Sequence, residues 1–264
     1  MQTLSKDTYF SVKNHFLTNS RINDFLKDKN YCYKKNITGE IENKKTGPMT
    51  IGSGVDCILT DCREAFDKKY VVVARRNLKL PPKDIIELTQ AQFDEIIAIS
   101  ESVARQDAYK EIKNEGHIAQ EILTMEMDLG KFCGLAGIPD WYKVNGQEAI
   151  ITDLKTANQA NSATKYFYHC LDYSYFRQAA MYSLLLKHKY PEIKNITCRH
   201  LVVETDVDGV NKVYTFILSE ERINMEKEFI LDIVLPAIKA ETEFAPSNVK
   251  WSDSVVIGEI NSEF

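Results

Sequence analysis

Hydrophobic and polar positions follow two rhythms along this chain, one of about 3.6 residues and one of two. Within TNSRINDFLKDKNYCYKK (18–35), Ile22, Phe25 and Leu26 fall on one face, which predicts a short capped helix. The polar TGEIENKKTGP (38–48) is loop-like, punctuated by Gly and Pro. In MTIGSGVDCILTD (49–61) the apolar pattern resumes, and a helix is expected to start after the Gly-Ser-Gly turn. YVVVARR (70–76) predicts a strand, which LKLPPK breaks. Thr89 and Gln92 then stand in capping-box spacing ahead of apolar positions 93, 96, 97 and 99, an amphipathic helix.

The two-residue rhythm follows. Residues 120–127 and 132–144 predict strands joined by DLGK, and IITDLKT (150–156) predicts a third strand after the turn-forming VNGQ. SYFRQAAMYSLLLKH (174–188) predicts a helix, with Pro191 just past its end. NITCRHLVVE and KVYTFILS predict two more strands around the turn signal DVDG, and a last helix spans about 219–240. Strands and helices mix without repeats or a low-complexity linker. The expectation is one α/β domain over 1–264, with a helical preamble (about 1–60) and a polar tail (about 241–264).

Composition changes this picture little. The 264 residues are 44% hydrophobic and 27% charged, enough for a sizeable core. No apolar run approaches the roughly 18 residues of a membrane span, and MQTLSKDTYF lacks a signal-peptide layout. A cytoplasmic protein is expected. Its net charge of -5 argues against a nucleic-acid coat but leaves room for an enzyme with a local basic channel. Six scattered cysteines without a CxxC pair fit reduced, packed thiols and no zinc site.

Candidate chemistry concentrates in one strand. Several acids stand two before a lysine, such as Glu42 with Lys44 or Glu192 with Lys194, in polar surroundings that suggest solvated faces. Asp153 and Lys155 differ, because Ile150 and Ile151 lead into them. Alternation along a strand sends both to one face, about 7 Å apart, with Leu154 on the other. A structural ion pair is one reading. Asp140, in GIPDW, lies thirteen positions upstream across one hairpin-like turn, so the two acids can face each other on neighbouring strands. Opposed carboxylates destabilise a sheet unless a cation lies between them, and carboxylate oxygen suits Mg²⁺.

Pro139-Asp140 followed by Asp153-Leu154-Lys155 resembles the PD-(D/E)xK nuclease superfamily. Gln178 and Tyr182 in FRQAAMYSL match the Q-x-x-x-Y arrangement of its exonuclease branch, which includes RecB-type domains, lambda exonuclease and exonuclease VIII (RecE). At i and i+4 they share one helix face. The resemblance extends from about residue 18 to about 220 and implies a restriction endonuclease-like fold, a central mixed β-sheet flanked by helices. It also implies a Mg²⁺-dependent exodeoxyribonuclease, with Mn²⁺ as a substitute, held by Asp140, Asp153 and the Leu154 carbonyl. Lys155, Gln178 and Tyr182 would complete the catalytic set.

Further positions follow from the same resemblance. IGSGVDCILTD is similar to a segment of the exonuclease VIII-like group whose His binds metal; here Asp56 stands in that place, as a ligand or as an acid near a helix N-terminus. Glu121 is expected near the metal, with Glu126 as competitor and exposed strand-face acids as the plainer reading of both. Ser20 would cap its helix or touch DNA. Arg75 and Arg76, with Lys79 and Lys83, and Lys34-Lys35 with Lys44-Lys45 are the basic stretches for a phosphate backbone. Nothing follows Cys198 that could complete the iron–sulfur cluster of some relatives, so none is expected. Relatives process linear duplex ends in recombination, often in phage-derived gene sets. A homo-oligomeric ring and a strand-annealing partner are therefore expectations of the resemblance and not of these residues.

Overall fold

The computed structural model describes residues 4–11, 15–42, 46–73, 85–157, 160–204 and 211–244. Arg75, Arg76, Lys79, Lys83, Lys44, Lys45, the DVDG turn and the chain beyond 244 lie outside the described residues.

The chain opens with helices α1 (Lys6–Tyr9), α2 (Asn19–Lys27), α3 (Lys29–Tyr33), α4 (Gly47–Asp56) and α5 (Arg63–Lys69), with π-helical turns at Lys34–Thr38 and Cys57–Asp61. Strands β1 (Tyr70–Val72) and β2 (Ile86–Leu88) pair in parallel, and α6 (Gln90–Ala104) and α7 (Asp107–Asn114) follow. Next come β3 (Ile118–Ala119), β4 (Leu123–Leu129), β5 (Phe132–Gly137), β6 (Trp141–Asn145) and β7 (Glu148–Ala157). Helices α8 (Ala163–Asp172) and α9 (Tyr175–Lys189) lead to β8 (Asn195–Glu204) and β9 (Lys212–Ile217). The chain then enters α10 (Glu220–Glu228), a π-helical segment at Phe229–Val234 and α11 (Leu235–Phe244).

The central sheet has the order β3-β6-β7-β8-β9. β6 and β7 form an antiparallel hairpin, β7 and β8 run parallel over ten residue pairs, and β9 returns antiparallel. Parallel pairing demands a crossover, and α8 with α9 supplies it. One face of the sheet packs Tyr142, Ile151, Cys198 and Val202 against α9, α10 and α11. The other packs Trp141, Leu201 and Val203 against α4 to α7. Helices thus flank a mixed sheet on both sides, which is the restriction endonuclease-like α/β arrangement.

Several sequence expectations hold. Thr89 and Gln92 make both bonds of the capping box, and Ile96, Ile99 and Val103 bury the face of α6. The 174–188 helix is α9.

Others are corrected. The predicted strand 132–144 is two strands, because Ile138-Pro139-Asp140 interrupts the ladder. Pro139 has no N–H to donate, and the chain there leaves the β4–β5 pair to join the central sheet. The helix expected to begin after Gly52-Ser53-Gly54 instead starts at Gly47, capped by Thr46, and runs through all three. A side chain at Gly54 would sit 2.6 Å from Ile96 Cδ1, so this glycine serves close packing of α4 on α6 and is no turn. Ser20 does not cap α2; Thr18 does, accepting from the Arg21 N–H, while the exposed Ser20 hydroxyl bonds that of Thr18. Helices α7 and α8 were not foreseen. Among the described residues no helix is long and apolar enough to cross a membrane.

Candidate metal and phosphate site

Asp140, Asp153 and Lys155 converge where β6 meets β7. The Trp141↔Thr152 pairing sets Asp140 beside Asp153, just past the last ladder rung. Its carboxylate turns inward and accepts the Leu154 N–H at 2.7 Å. Asp153 and Lys155 project from the α9 side of β7, as strand alternation requires, while Leu154 packs with the opposite core. The two side chains form an ion pair and retain only 7% and 12% of their exposure. A pair so enclosed is costly to desolvate, and the site invests further polar contacts in it.

α9 provides those contacts. Lys155 Nζ donates to Gln178 Oε1 at 2.8 Å, Gln178 Nε2 donates to the Tyr182 hydroxyl at 3.0 Å, and that hydroxyl donates to the Ile138 carbonyl at 2.9 Å. One relay therefore ties the ammonium to the backbone just before Asp140. Beneath it lies a cavity of about 10 Å³ bordered by Asp153, Gln178, Tyr182 and His200. Gly137 closes the back: a Cβ there would stand 2.8 Å from Tyr182 Cε1. Gly137→Ala is expected to push Tyr182 off this relay and to destabilise the fold by about 1–3 kcal/mol, read as a lower Tm with a loss of turnover larger than the loss of fold.

Asp56 reaches the same place from the end of α4, on the opposite helix layer. Gln120 Nε2 donates to Asp56 Oδ2 at 2.7 Å, and the Gln120 backbone N–H donates to the Asp140 carbonyl at 3.1 Å. Gln120 has φ 47°, a left-handed backbone for a residue other than glycine. Lys6 of α1 in turn bonds Gln120 Oε1 at 2.7 Å. Glu121, expected near the metal, is instead engaged by the Tyr142 hydroxyl and by Lys189 at 2.5 Å. Glu126 belongs to the separate β4–β5 pair. The amide of Gln120, next to Glu121, carries no acid signature in the sequence and stands out only through its bond to Asp56. His200 and Tyr175 were also missed. His200 lies opposite Asp153 in the β7–β8 register, and Lys155 Nζ sits 4.4 Å over the Tyr175 ring.

The electrostatics match a site arranged for a cation. Burial, then the carboxylates of Asp153 and Asp56, push the Asp140 carboxyl well above its ordinary range. Burial chiefly raises Asp56, from 3.8 to about 6, against the Gln120 bond. Burial works against the Lys155 ammonium, but Asp153, Tyr175 and Asp140 outweigh it and hold its pKa above normal. Burial takes His200 well below its usual value, so the imidazole is neutral; its Nδ1 lies 2.6 Å from the Tyr166 hydroxyl.

Asp56 Oδ1 is buried with no hydrogen-bond partner among the described residues, while Asp153 Oδ2 is held by the Lys155 ammonium of its ion pair. Among the described residues no three His, Cys, Asp or Glu side chains stand grouped as a metal site. A divalent ion held by one or two carboxylates and otherwise by water fits what is here, with Asp140 and Asp153 adjacent on neighbouring strands and the Asp56 oxygen unpartnered.

A family model described as a PDDEXK-like domain of unknown function (DUF3799) matches residues 19–233. Among solved structures, one from Eubacterium rectale described as a "putative exonuclease" shares 13% identity, covers 92% of this chain and 88% of its own, and superposes with a TM-score of 0.64. At that identity the likeness is one of fold. SSO0001 overlaps 54% of this chain and 60% of its own at 14% identity and a TM-score of 0.30, too low to carry an argument. No curated protein matches.

Proposed function

This chain belongs to the PDDEXK-like family, and on that premise we propose that it is a metal-dependent deoxyribonuclease acting as an exonuclease on linear duplex ends. The observation that carries the proposal is the continuous arrangement of Asp140, Asp153, Lys155, Gln178 and Tyr182 across two strands and one helix. An isolated structural ion pair has no use for a relay that holds its ammonium from behind, nor for two further enclosed acids.

In this reading Asp140, Asp153 and the Leu154 carbonyl would hold Mg²⁺, with Mn²⁺ as a substitute and Asp56 as the further acid beside them. When bound, the ion supplies Lewis-acid polarisation of the phosphoryl oxygen and lowers the pKa of water. Lys155 offsets the charge that builds on the phosphate and orients the attacking water opposite the leaving 3′ oxygen. Gln178 accepts from the ammonium and is itself fixed by Tyr182, so Lys155 keeps one orientation while substrate arrives. A role in recombination or phage DNA processing, with a ring of copies or a strand-annealing partner, belongs to the same proposal by family likeness.

Linear, nicked and closed-circular duplexes incubated with Mg²⁺ test it. Loss of the linear form alone is the expected result. Cleavage of closed circles would replace the exonuclease assignment with an endonuclease one. No loss of any form, with Mg²⁺ or Mn²⁺, would remove enzymatic activity and leave a silent DNA-binding protein.

A further inference from the structure

The corner between α8 and α9 is crowded with rings: Tyr166, Phe167, Tyr168, His169, Tyr173 and Tyr175 fall within ten residues. Packing accounts for Tyr166, which is buried and stacks on Phe216 at 4.5 Å. It does not account for Tyr173, 60% exposed. Single exposed aromatics are ordinary on a protein surface. Here the arrangement sets Tyr173 apart.

Tyr175 lies under the Lys155 ammonium, Tyr173 stacks on Tyr175 with centroids 5.7 Å apart and planes at 29°, and His169 follows at 4.5 Å from Tyr173. His169 also lies 5.6 Å from Tyr175, so the three rings pack as one cluster beside the proposed phosphate contact, and Tyr173 is the one that carries it to the surface. Ser174, between the two tyrosines, has φ 56° and ψ 38°, the left-handed region that side chains other than glycine rarely adopt. Backbone strain of this kind marks a position where the surroundings dictate the fold, and here it sets adjacent rings face to face.

We propose that Tyr173, backed by Tyr175 and His169, forms a stacking rail for the bases of one unpaired DNA strand whose phosphate lies at Lys155. The inference rests on the nuclease proposal and extends it by naming the side chain that receives a base beside the phosphate contact. Aromatic faces accept every base, which suits digestion without sequence preference. A charged ammonium at one end with uncharged rings behind it matches the alternation of phosphate and base along a strand. Apolar peptide would gain nothing from the ammonium.

Full-length protein, a single-stranded oligonucleotide carrying one 2-aminopurine, and Ca²⁺ give a direct readout, because stacking quenches that base. Wild type is expected to quench it, Tyr173→Phe to quench it equally, and Tyr173→Ala not at all. With Mg²⁺, Tyr173→Ala should raise KM for single-stranded and tailed substrates by roughly 5- to 150-fold, the worth of one stack, with a smaller change in kcat. For a strand of abasic sites the variant and wild type should share one KM. Unchanged quenching and KM in Tyr173→Ala, while wild type degrades DNA, would overturn the rail and spare the nuclease assignment. Quenching by a wild type that hydrolyses nothing would do the reverse.

Discussion

Asp153→Asn is expected to lose both Mn²⁺ binding and hydrolysis, whereas Lys155→Ala is expected to keep the ion and lose turnover. The amide keeps the shape of Asp153 but withdraws the charge that an ion needs, so calorimetric heat with Mn²⁺ should vanish and kcat should fall by at least about 10³-fold. Lys155 supplies charge to the phosphate and no ligand to the ion. Its removal should cost about 10²–10³-fold in kcat, the usual worth of one preorganised electrostatic contact. Both variants disturb an enclosed ion pair, and melting curves in Mn²⁺ separate unfolding from lost chemistry. Lys155→Ala removes the cation paired with Asp153 and leaves the acids in place, so it should bind Mn²⁺ at least as tightly as wild type. Equal heats from wild type and Asp153→Asn would remove the metal site and the nuclease proposal together.

The second large effect concerns stability. Folding raises the carboxyl pKa of Asp140 and Asp56, so the native chain binds more protons than the unfolded one between the ordinary and the raised values. Where the native state holds the excess, stability falls as pH rises. For Asp56 the window runs from 3.8 to about 6, and Asp140 adds a loss in the same direction. A shift of that size in Asp56 corresponds to about 2–3 kcal/mol at most. Protein stripped with chelator should therefore lose Tm between pH 4 and pH 7 by several degrees, at about 2–4 °C per kcal/mol. Mg²⁺ binds only the folded, deprotonated acids, so it should restore Tm at pH 7 and have little effect at pH 4. Asp140→Asn should flatten the pH dependence and abolish the rescue. A chelated protein whose Tm climbs steadily over the same range would show that folding does not raise these carboxyls.

Much of this was written in local patterns. Capping at Thr89, the period of α9 and the alternation of IITDLKT depend on near neighbours, and near neighbours are what a single sequence displays. Asp140, Asp153 and Lys155 could be named from residue type and spacing, whereas Gln178 and Tyr182 were named through the resemblance to the exonuclease branch. Elsewhere the decisive contact was distant. Gly54 reads as a turn residue until Ile96 is seen against it, and Gln120 has no signature apart from Asp56, sixty-four positions away. The split at Ile138-Pro139-Asp140 depended on which sheet each half joins, and Glu121 depended on Lys189. Partners so remote leave no periodic trace.

The central position of β7, with an antiparallel neighbour on one side and a parallel one on the other, limits how this lineage can change in length. An extra residue at the Gly146 turn lengthens a loop and leaves both ladders aligned. One extra residue between Ile151 and Asp153 would exchange the faces of everything beyond it, sending both charges into the wrong hydrophobic layer. Natural variants with insertions should therefore gather at that turn, and the stretch from Ile150 to Lys155 should keep its length wherever the site persists.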